Sequence, residues 1–385
     1  MQDIFRHRHL QYSPVQHHRE ARDQKCKARK GRPVLFTLIG TLLLVLAACS
    51  PGSNDPNVNA TPTQPAVNGF GTNANHPHSL LIFPDKTVLL ATHYGLFRSA
   101  DDGSSWKEVA AGSGQLMEGL MTDSLTSSPL NPKRVYVLTY PTLNPRPQGL
   151  GLYRSDDQGQ TWKLAINASD LSSDSTIYHA WAGNETADQV YVYVSSKGAQ
   201  GLLVSMDGGQ HFSATGTLPF GRITTLLALP GTKHDLLIGS NEGMARSSDG
   251  GKTWQKVSGV NGAVYSPIVT TGAGKPIYVT GDAGVYASSD NGKSFTLVTS
   301  QAAFGSLTVS PLNPQMLYAK TARETYQSSD GGRTWKTLPQ VKGNLFELVA
   351  DPNNAGQVYL SMSYPTELYR LDGSGKTWQS LTPKV

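Results

Sequence analysis

Cysteine is nearly absent from this chain: two of its 385 residues are cysteines, Cys26 and Cys49. Cys26 lies in a basic leader, which leaves Cys49 as the only cysteine in the rest of the sequence. Cys49 therefore has no partner for a disulfide bond in an oxidising compartment. A cysteine-rich module is excluded.

A hydrophobic run long enough to cross a membrane is also missing. The apolar stretch from Val34 to Ala48 has 15 residues, whereas a helix that spans a bilayer needs roughly 20. The basic cluster from Lys25 to Arg32 precedes it, and this order is typical of a secretory signal peptide. The run ends in Leu46-Ala47-Ala48-Cys49, which resembles the lipobox of bacterial lipoproteins.

The lipobox resemblance implies cleavage before Cys49 and a diacylglycerol on its sulfur. Residues 1–48 would be the signal peptide of a membrane lipoprotein at the bacterial cell envelope, on its extracytoplasmic side. The alternative is an ordinary signal peptide followed fortuitously by a cysteine. Residues 49–75 are rich in Asn, Pro, Thr and Gly, a composition that cannot bury enough surface to offset its ordering entropy. They are predicted to be a disordered tether.

Outside the leader, neither sign of charge is in excess. The chain has 33 Lys and Arg against 28 Asp and Glu, but residues 1–48 hold nine of the basic and three of the acidic side chains. The remainder carries 24 basic and 25 acidic groups. Because the basicity belongs to the leader, a nucleic-acid partner is not expected.

Several motifs that carry chemistry are absent. No segment after Ala48 has a helical period, no Gly-rich loop precedes a helix, and there is no Gly-x-Ser-x-Gly elbow. His76 and His78 form a close pair, but no third ligand lies nearby in sequence, whereas zinc sites need three or four. We therefore predict no metal site and no cofactor.

What the sequence does contain is one repeated motif, Ser-x-Asp-x-Gly-x-Thr-Trp, shown by Ser247 to Trp254. Seven copies occur, the last degenerate, at spacings of 40 to 56 residues. A period near 40 indicates a propeller array, in which each repeat forms one small sheet. The copies end at Trp106, Trp162, Phe212, Trp254, Phe295, Trp335 and Trp378.

The motif resembles the Asp-box, or BNR repeat, of sialidases and related propellers, where it forms the hairpin turn between strands C and D. The resemblance implies an all-β fold, a single seven-bladed β-propeller over residues 76–385. Ser and Asp side chains can bond the backbone of their own turn, so we assign the boxes a structural role. Their carboxylates belong to Asp101, Asp157, Asp207, Asp249, Asp290 and Asp330.

Short β-rich runs precede each box and predict strands A, B and C. In the fourth repeat these are Arg222–Leu229, Asp235–Gly239 and Met244–Ser247, and strand D begins at Trp254. Blades and sequence repeats are expected to coincide, so that blades one and seven close the ring by packing. The alternative is that Ala66 to Phe70 adds an edge strand.

In such a ring the D–A and B–C loops lie at one end and the box turns at the other. We look for function at the first end, since loops carry most binding residues. An ordinary solvated rim is the alternative interpretation. The candidate ligand-binding residues are His93, Tyr94, Glu118, His179, Trp181, Arg222, Tyr265, Glu347 and Tyr364.

Two classes of function fit these residues. A single exported Asp-box ring resembles the photosystem II assembly/stability factor family, which implies a noncatalytic head domain, monomeric, that binds a protein or glycan partner. The alternative is a sialidase-like or xyloglucanase-like exo-acting glycoside hydrolase. Sialidases carry a Phe/Tyr-Arg-Ile-Pro motif. The nearest stretch here, Phe220-Gly221-Arg222-Ile223-Thr224, has an inserted Gly and lacks the Pro. Xyloglucanases have two rings, whereas only one fits this chain. Glycosidases need two carboxyl groups, and Glu118, Glu242, Asp282 and Glu347 are the first to compare.

Overall fold

A computed structural model describes residues 70–71, 73, 75–142, 149–171, 176–196, 199–301 and 304–382. The predicted signal peptide, Cys49 and most of the predicted tether lie outside these residues. Of the candidate edge strand, only Phe70 is described, and it lies in a turn. Within the described part of the chain, no helix is long and apolar enough to span a membrane.

The described chain forms seven four-stranded antiparallel sheets, each from consecutive strands. Blade 1 consists of β1 (Pro77–Ile82), β2 (Val88–Thr92), β3 (Gly95–Ser99) and β4 (Lys107–Glu108). Blade 2 consists of β5 (Leu120–Ser128), β6 (Asn131–Pro141), β7 (Gly151–Ser155) and β8 (Lys163–Asn167). Blade 3 consists of β9 (His179–Ala182), β10 (Val190–Ser196), β11 (Ala199–Ser205) and β12 (Ser213–Ala214).

Blade 4 consists of β13 (Ile223–Ala228), β14 (Leu236–Ser240), β15 (Gly243–Ser247) and β16 (Gln255–Lys256). Blade 5 consists of β17 (Val269–Thr270), β18 (Ile277–Gly281), β19 (Gly284–Ser288) and β20 (Thr296–Thr299). Blade 6 consists of β21 (Ser306–Ser310), β22 (Asn313–Lys320), β23 (Thr325–Ser328) and β24 (Lys336–Thr337). Blade 7 consists of β25 (Asn344–Ala350), β26 (Val358–Ser363), β27 (Glu367–Leu371) and β28 (Trp378–Ser380). A short 3-10 helix, Ala168–Asp170, follows β8.

Within a blade, strand B is the most buried and strand D the most exposed. The B strands β2, β14 and β18 are buried at every position, whereas the D strands β16 and β24 are exposed. The A strands contact one another around the ring: β1 contacts β5 and β25, and β21 contacts β17 and β25. Strand A therefore lies nearest the axis, and apolar sheet faces are covered by neighbouring blades.

Each box closes its own hairpin between strands C and D. Ser247 Oγ donates to Asp249 Oδ1 at 2.7 Å and accepts from the Gly251 amide at 2.8 Å, while Thr253 Oγ1 donates to Asp249 Oδ2 at 2.6 Å. The same carboxylate arrangement recurs at Asp101, Asp157, Asp290 and Asp330, with a histidine ring replacing the hydroxyl at Asp207. These acids thus satisfy the polar groups of their turns.

In blades 2 and 5 the glycine that ends the box turn also packs against the preceding blade. Gly159 of blade 2 has φ +82 and faces Leu89 of blade 1, which a Cβ on Gly159 would approach to 2.7 Å. Gly292 of blade 5 has φ +77 and faces Leu237 of blade 4 at 2.6 Å from the same kind of ideal Cβ. A side chain is therefore excluded both by the backbone angle and by the neighbouring blade.

Blades 1 and 7 close the ring through side chains rather than a shared sheet. Trp106 Nε1 donates to the Leu381 carbonyl at 2.9 Å, and Asp102 pairs with Arg370. Phe70 is buried in this junction, where it packs against Trp106. Phe70 thus belongs to the core between blades 1 and 7. The prediction of an all-β, seven-bladed propeller is confirmed.

Candidate functional site

The D–A segments and B–C turns lie at one end of the ring, here named the loop end, and the A–B and C–D turns lie at the other, the box end. Three tyrosines at the loop end are exposed by 41 to 51%. Tyr94 lies in the β2–β3 turn, Tyr364 in the β26–β27 turn, and Tyr265 precedes β17. The three side chains come from blades 1, 7 and 5.

Three candidate acids at the loop end accept hydrogen bonds from loop amides, Glu118 within its own loop and the other two across to a neighbouring loop. Glu242 accepts from the Gly221 amide at 3.2 Å, and Asp282 accepts from the Ala263 amide at 2.9 Å. Glu118 accepts from the Gly114 amide at 2.7 Å. Asp282 also accepts from the Tyr265 hydroxyl, a bond that raises the pKa of Tyr265 to about 12. These carboxylates therefore fix loop conformation.

The fourth candidate acid, Glu347, lies on strand β25 next to the axis. Its Oε2 accepts from the Leu80 amide of blade 1 at 3.0 Å. Burial raises the pKa of Glu347 to about 8; the Leu80 amide opposes that rise, the negative charge of Asp123 adds to it and Lys320 opposes it. Burial in turn lowers the pKa of Lys320, against the opposite influence of Glu347. A carboxyl of this kind retains its proton near neutral pH.

Asp123 on strand β5 connects several of these groups, although the sequence did not single it out. Its Oδ2 lies 3.6 Å from His78 Nδ1. Burial lowers the pKa of His179, while Asp123 raises it and Arg222 lowers it. An acid within an innermost strand is the signal that could have identified Asp123. We name this group the axial cluster: His78, Asp123, His179, Arg222, Lys320 and Glu347.

Three histidines lie close together at the loop end of blade 1. His93 follows β2 and its amide donates to the His76 carbonyl at 3.0 Å. The ring of His76 lies 4.6 Å from that of His78 and 4.9 Å from that of His93, between centroids. One ligand nitrogen from each of the three lies within 4.8 Å of the others. The third histidine that the sequence lacked near His76 and His78 is supplied by the β2–β3 turn.

Trp181 lies next to another candidate, His179, and also lines a groove. It lies on strand β9 and lines a groove of about 370 Å³ together with Pro129, Leu130 and Pro230. These partners belong to A–B turns, so the groove opens at the box end. The ring of Trp181 also lies 5.3 Å from that of His179, between centroids, and a ligand-binding role for Trp181 stays a prediction.

The comparisons with known proteins agree on the fold. The BNR/Asp-box repeat model matches residues 153–164. A probable oligoxyloglucan-reducing end-specific xyloglucanase of Neosartorya fischeri is 29% identical over 171 residues, which cover 36% of this chain and 21% of that protein. The chain thus spans about a fifth of that relative.

Two classes of solved structure resemble the ring. The GH74 enzyme of Niastella koreensis has a TM-score of 0.64 at 18% identity, covering 82% of this chain and 54% of that one. The structure described as YCF48 bound to D1 peptide has a TM-score of 0.56 at 13% identity, covering 82% of this chain and 96% of that one. YCF48 from Cyanidioschyzon merolae has a TM-score of 0.54 at 15% identity, with coverages of 77% and 95%.

At these identities the structural likeness shows the fold alone, and the matched repeat shows what builds it. The chain is a seven-bladed β-propeller, and residues 153–164 match the BNR/Asp-box repeat model.

Proposed function

We propose that this protein is a lipid-anchored, extracytoplasmic binding propeller that recognises a protein or glycan partner at its loop end. The observation that carries the proposal is the exposure of Tyr94, Tyr265 and Tyr364 at that end. Aromatic side chains are enriched at the centres of interfaces because they bury a large area at low entropic cost. The exposed large apolar residues of the box-end turns are aliphatic: Leu130, Met206 and Leu312.

The axial cluster adds charge to this surface. Arg222 is exposed directly before strand β13, His179 is partly exposed within reach of its charge, and Glu347 is partly exposed on strand β25. Mixed polar groups next to aromatics provide orientation and specificity for a peptide or a sugar. One structural neighbour is described with a bound peptide, and this supports a protein partner for the present chain.

The anchor belongs to the same proposal. Lipid on Cys49, followed by the tether to residue 75, would hold a monomeric head domain away from the membrane while its loop end stays accessible. Mass spectrometry of the mature N-terminus tests it: a lipidated Cys49 supports the anchor, and an unmodified Cys49 contradicts it.

Capture of partners from membranes tests the binding surface. The full chain, crosslinked and recovered, is compared with a loop-end variant (Tyr94→Ser, Tyr265→Ser, Tyr364→Ser) and a box-end variant (Leu130→Ser, Met206→Ser, Leu312→Ser). Each variant removes three exposed apolar side chains, so the two variants lose a similar amount of nonspecific hydrophobic binding. We expect the loop-end variant to lose the captured partner and the box-end variant to retain it. Equal loss in both would refute a binding surface at the loop end.

A second candidate function, glycoside hydrolysis, is favoured by one observation. Glu347 has the raised pKa expected of a general acid, and the negative charge of Asp123 contributes to that rise. Glycosidases use two carboxyl groups whose environments separate their pKa values. A panel of aryl glycosides tests it, with Glu347→Gln as the inactive control. Hydrolysis that disappears in that variant would replace the binding proposal with the enzymatic one; the binding proposal predicts no hydrolysis by either protein.

A further inference from the structure

The backbone of β1 and β2 holds the three histidines together at the loop end of blade 1. His76 directly precedes β1, and His78 lies where the register of β1 and β2 shifts between Pro77 and Ser79; the two rings lie 4.6 Å apart between centroids. Pro77 pairs with Thr92 in the register of β1 and β2, and His93 comes directly after Thr92. The third ring is therefore held beside the first two by strand pairing.

The spacing of the rings suits a metal ion. The ligand nitrogens lie within 4.8 Å of one another. An ion about 2.1 Å from each nitrogen of a tetrahedral site holds those nitrogens about 3.4 Å apart. Binding an ion would require the rings to rotate toward one another, and the partial exposure of all three side chains leaves a route for the ion.

Neighbouring groups orient two of the rings for coordination. The Nδ1 atom of His78 faces Asp123 Oδ2 at 3.6 Å, and its buried Nε2 has no hydrogen-bond partner among the described residues. His93 Nδ1 lies 3.1 Å from Met121 Sδ. In both rings Nε2 is thus left for a ligand. A carboxylate behind a coordinating histidine is a common arrangement around protein-bound metals.

We propose that His76, His78 and His93 form a binding site for a divalent transition-metal ion, with Asp123 orienting His78. Imidazole ligands select zinc, copper or nickel over calcium and magnesium. Three protein nitrogens leave a fourth position open to water or to a donor atom of a partner. Tyr364, 4.7 Å from the His76 ring, and Tyr94, 4.4 Å from the His93 ring, place the site beside the exposed aromatics.

Isothermal titration of the full chain with ZnCl₂ tests the site. All proteins carry alanine in place of the leader histidines, so that these do not contribute: His7, His9, His17 and His18. We expect one zinc per chain, weakened on the order of 100-fold by His78→Ala or His93→Ala and about 10- to 100-fold by Asp123→Asn. The control is His211→Ala, an exposed histidine paired with Asp207 at the box end.

Absence of zinc binding, or equal weakening by His93→Ala and His211→Ala, would overturn the proposal. Each variant's circular dichroism and metal-free melting temperature are measured, and His93→Gln replaces His93→Ala if the latter does not fold. X-ray absorption of the zinc-loaded protein gives a second readout. Three imidazole nitrogens at about 2.0–2.1 Å are expected, and a shell of oxygen ligands alone would contradict the site. Because the probe is the metal alone, failure here leaves the proposed partner binding intact.

Discussion

The two ends of the ring connect the same strands, but the turns repeat at one end and differ from blade to blade at the other. At the box end, one turn recurs with the same hydrogen bonds, such as Ser99 Oγ to Asp101 Oδ1 at 2.7 Å and Ser288 Oγ to Asp290 Oδ1 at 2.7 Å. At the loop end, each blade contributes different residues: histidines from blade 1, Asp123 from blade 2 and Glu347 from blade 7. Repetition thus marks the end that holds the ring together, and departure from repetition marks the end available for binding.

The two ends also differ in the protonation of their carboxyl groups. The box carboxylates accept hydrogen bonds from their own turns, and at Asp249 and Asp330 bonds from Thr253 and Thr334 lower the pKa to about 2. At the loop end, burial raises the pKa of Glu347 to about 8. A carboxyl that keeps its proton near neutral pH is more common at functional sites than at structural turns.

The largest expected effect comes from a side chain at a box glycine. Gly292→Ala would place its Cβ 2.6 Å from Leu237, whereas Gly250→Ala, at nearly the same φ (+75 against +77), meets nothing within 4 Å. Gly250→Ala should cost about 1–2 kcal/mol for the left-handed backbone, and Gly292→Ala about 1–3 kcal/mol more for overpacking. Urea unfolding of both variants measures the difference. Equal losses would show that the box turn does not dock on the preceding blade.

A smaller effect, of opposite sign, is expected at the loop end. The pKa of Glu347 is raised from 4.5 to about 8, so ionisation opposes folding: the destabilisation is absent below pH 4.5 and grows as the pH rises toward 8. Glu347→Gln, which can still accept from the Leu80 amide, should stabilise the ring by about 1–3 kcal/mol at pH 8 and by almost nothing at pH 4.5. Thermal melts across this range test it. A stability difference independent of pH would contradict the protonated state.

The smallest expected effect is the loss of one box hydroxyl. Ser247 is 2% exposed and bonds both Asp249 and the Gly251 amide. Ser247→Ala should cost about 1–2 kcal/mol because it leaves that buried amide without its partner. Zinc affinity at the loop end should stay unchanged. A weaker zinc site in this variant would indicate that the two ends are not separable.

The sequence predicted the fold well because the fold is repetitive. A recurrent box between short β runs counts the blades, and the fourth repeat's predicted strand Met244–Ser247 lies within the observed β15, Gly243–Ser247. Phe70 is different: no repeat signal marks it, and its burial depends on the junction between blades 1 and 7.

The site was less predictable, because its residues meet only through strand pairing within blade 1 and through packing between blades. His93 joins His76 and His78 through strand pairing, and the amide that Glu347 binds belongs to Leu80, 267 positions away in sequence. Asp123 was overlooked because no motif surrounds it.

Hydrogen exchange of the ring, alone and bound to the partner captured from membranes, tests the division between the two ends most directly. The account predicts slower amide exchange on binding in the β2–β3 and β26–β27 turns, around Tyr94 and Tyr364, and unchanged exchange in box turns such as Asp249 to Thr253. Protection of the box turns, with the loop end unchanged, would contradict it.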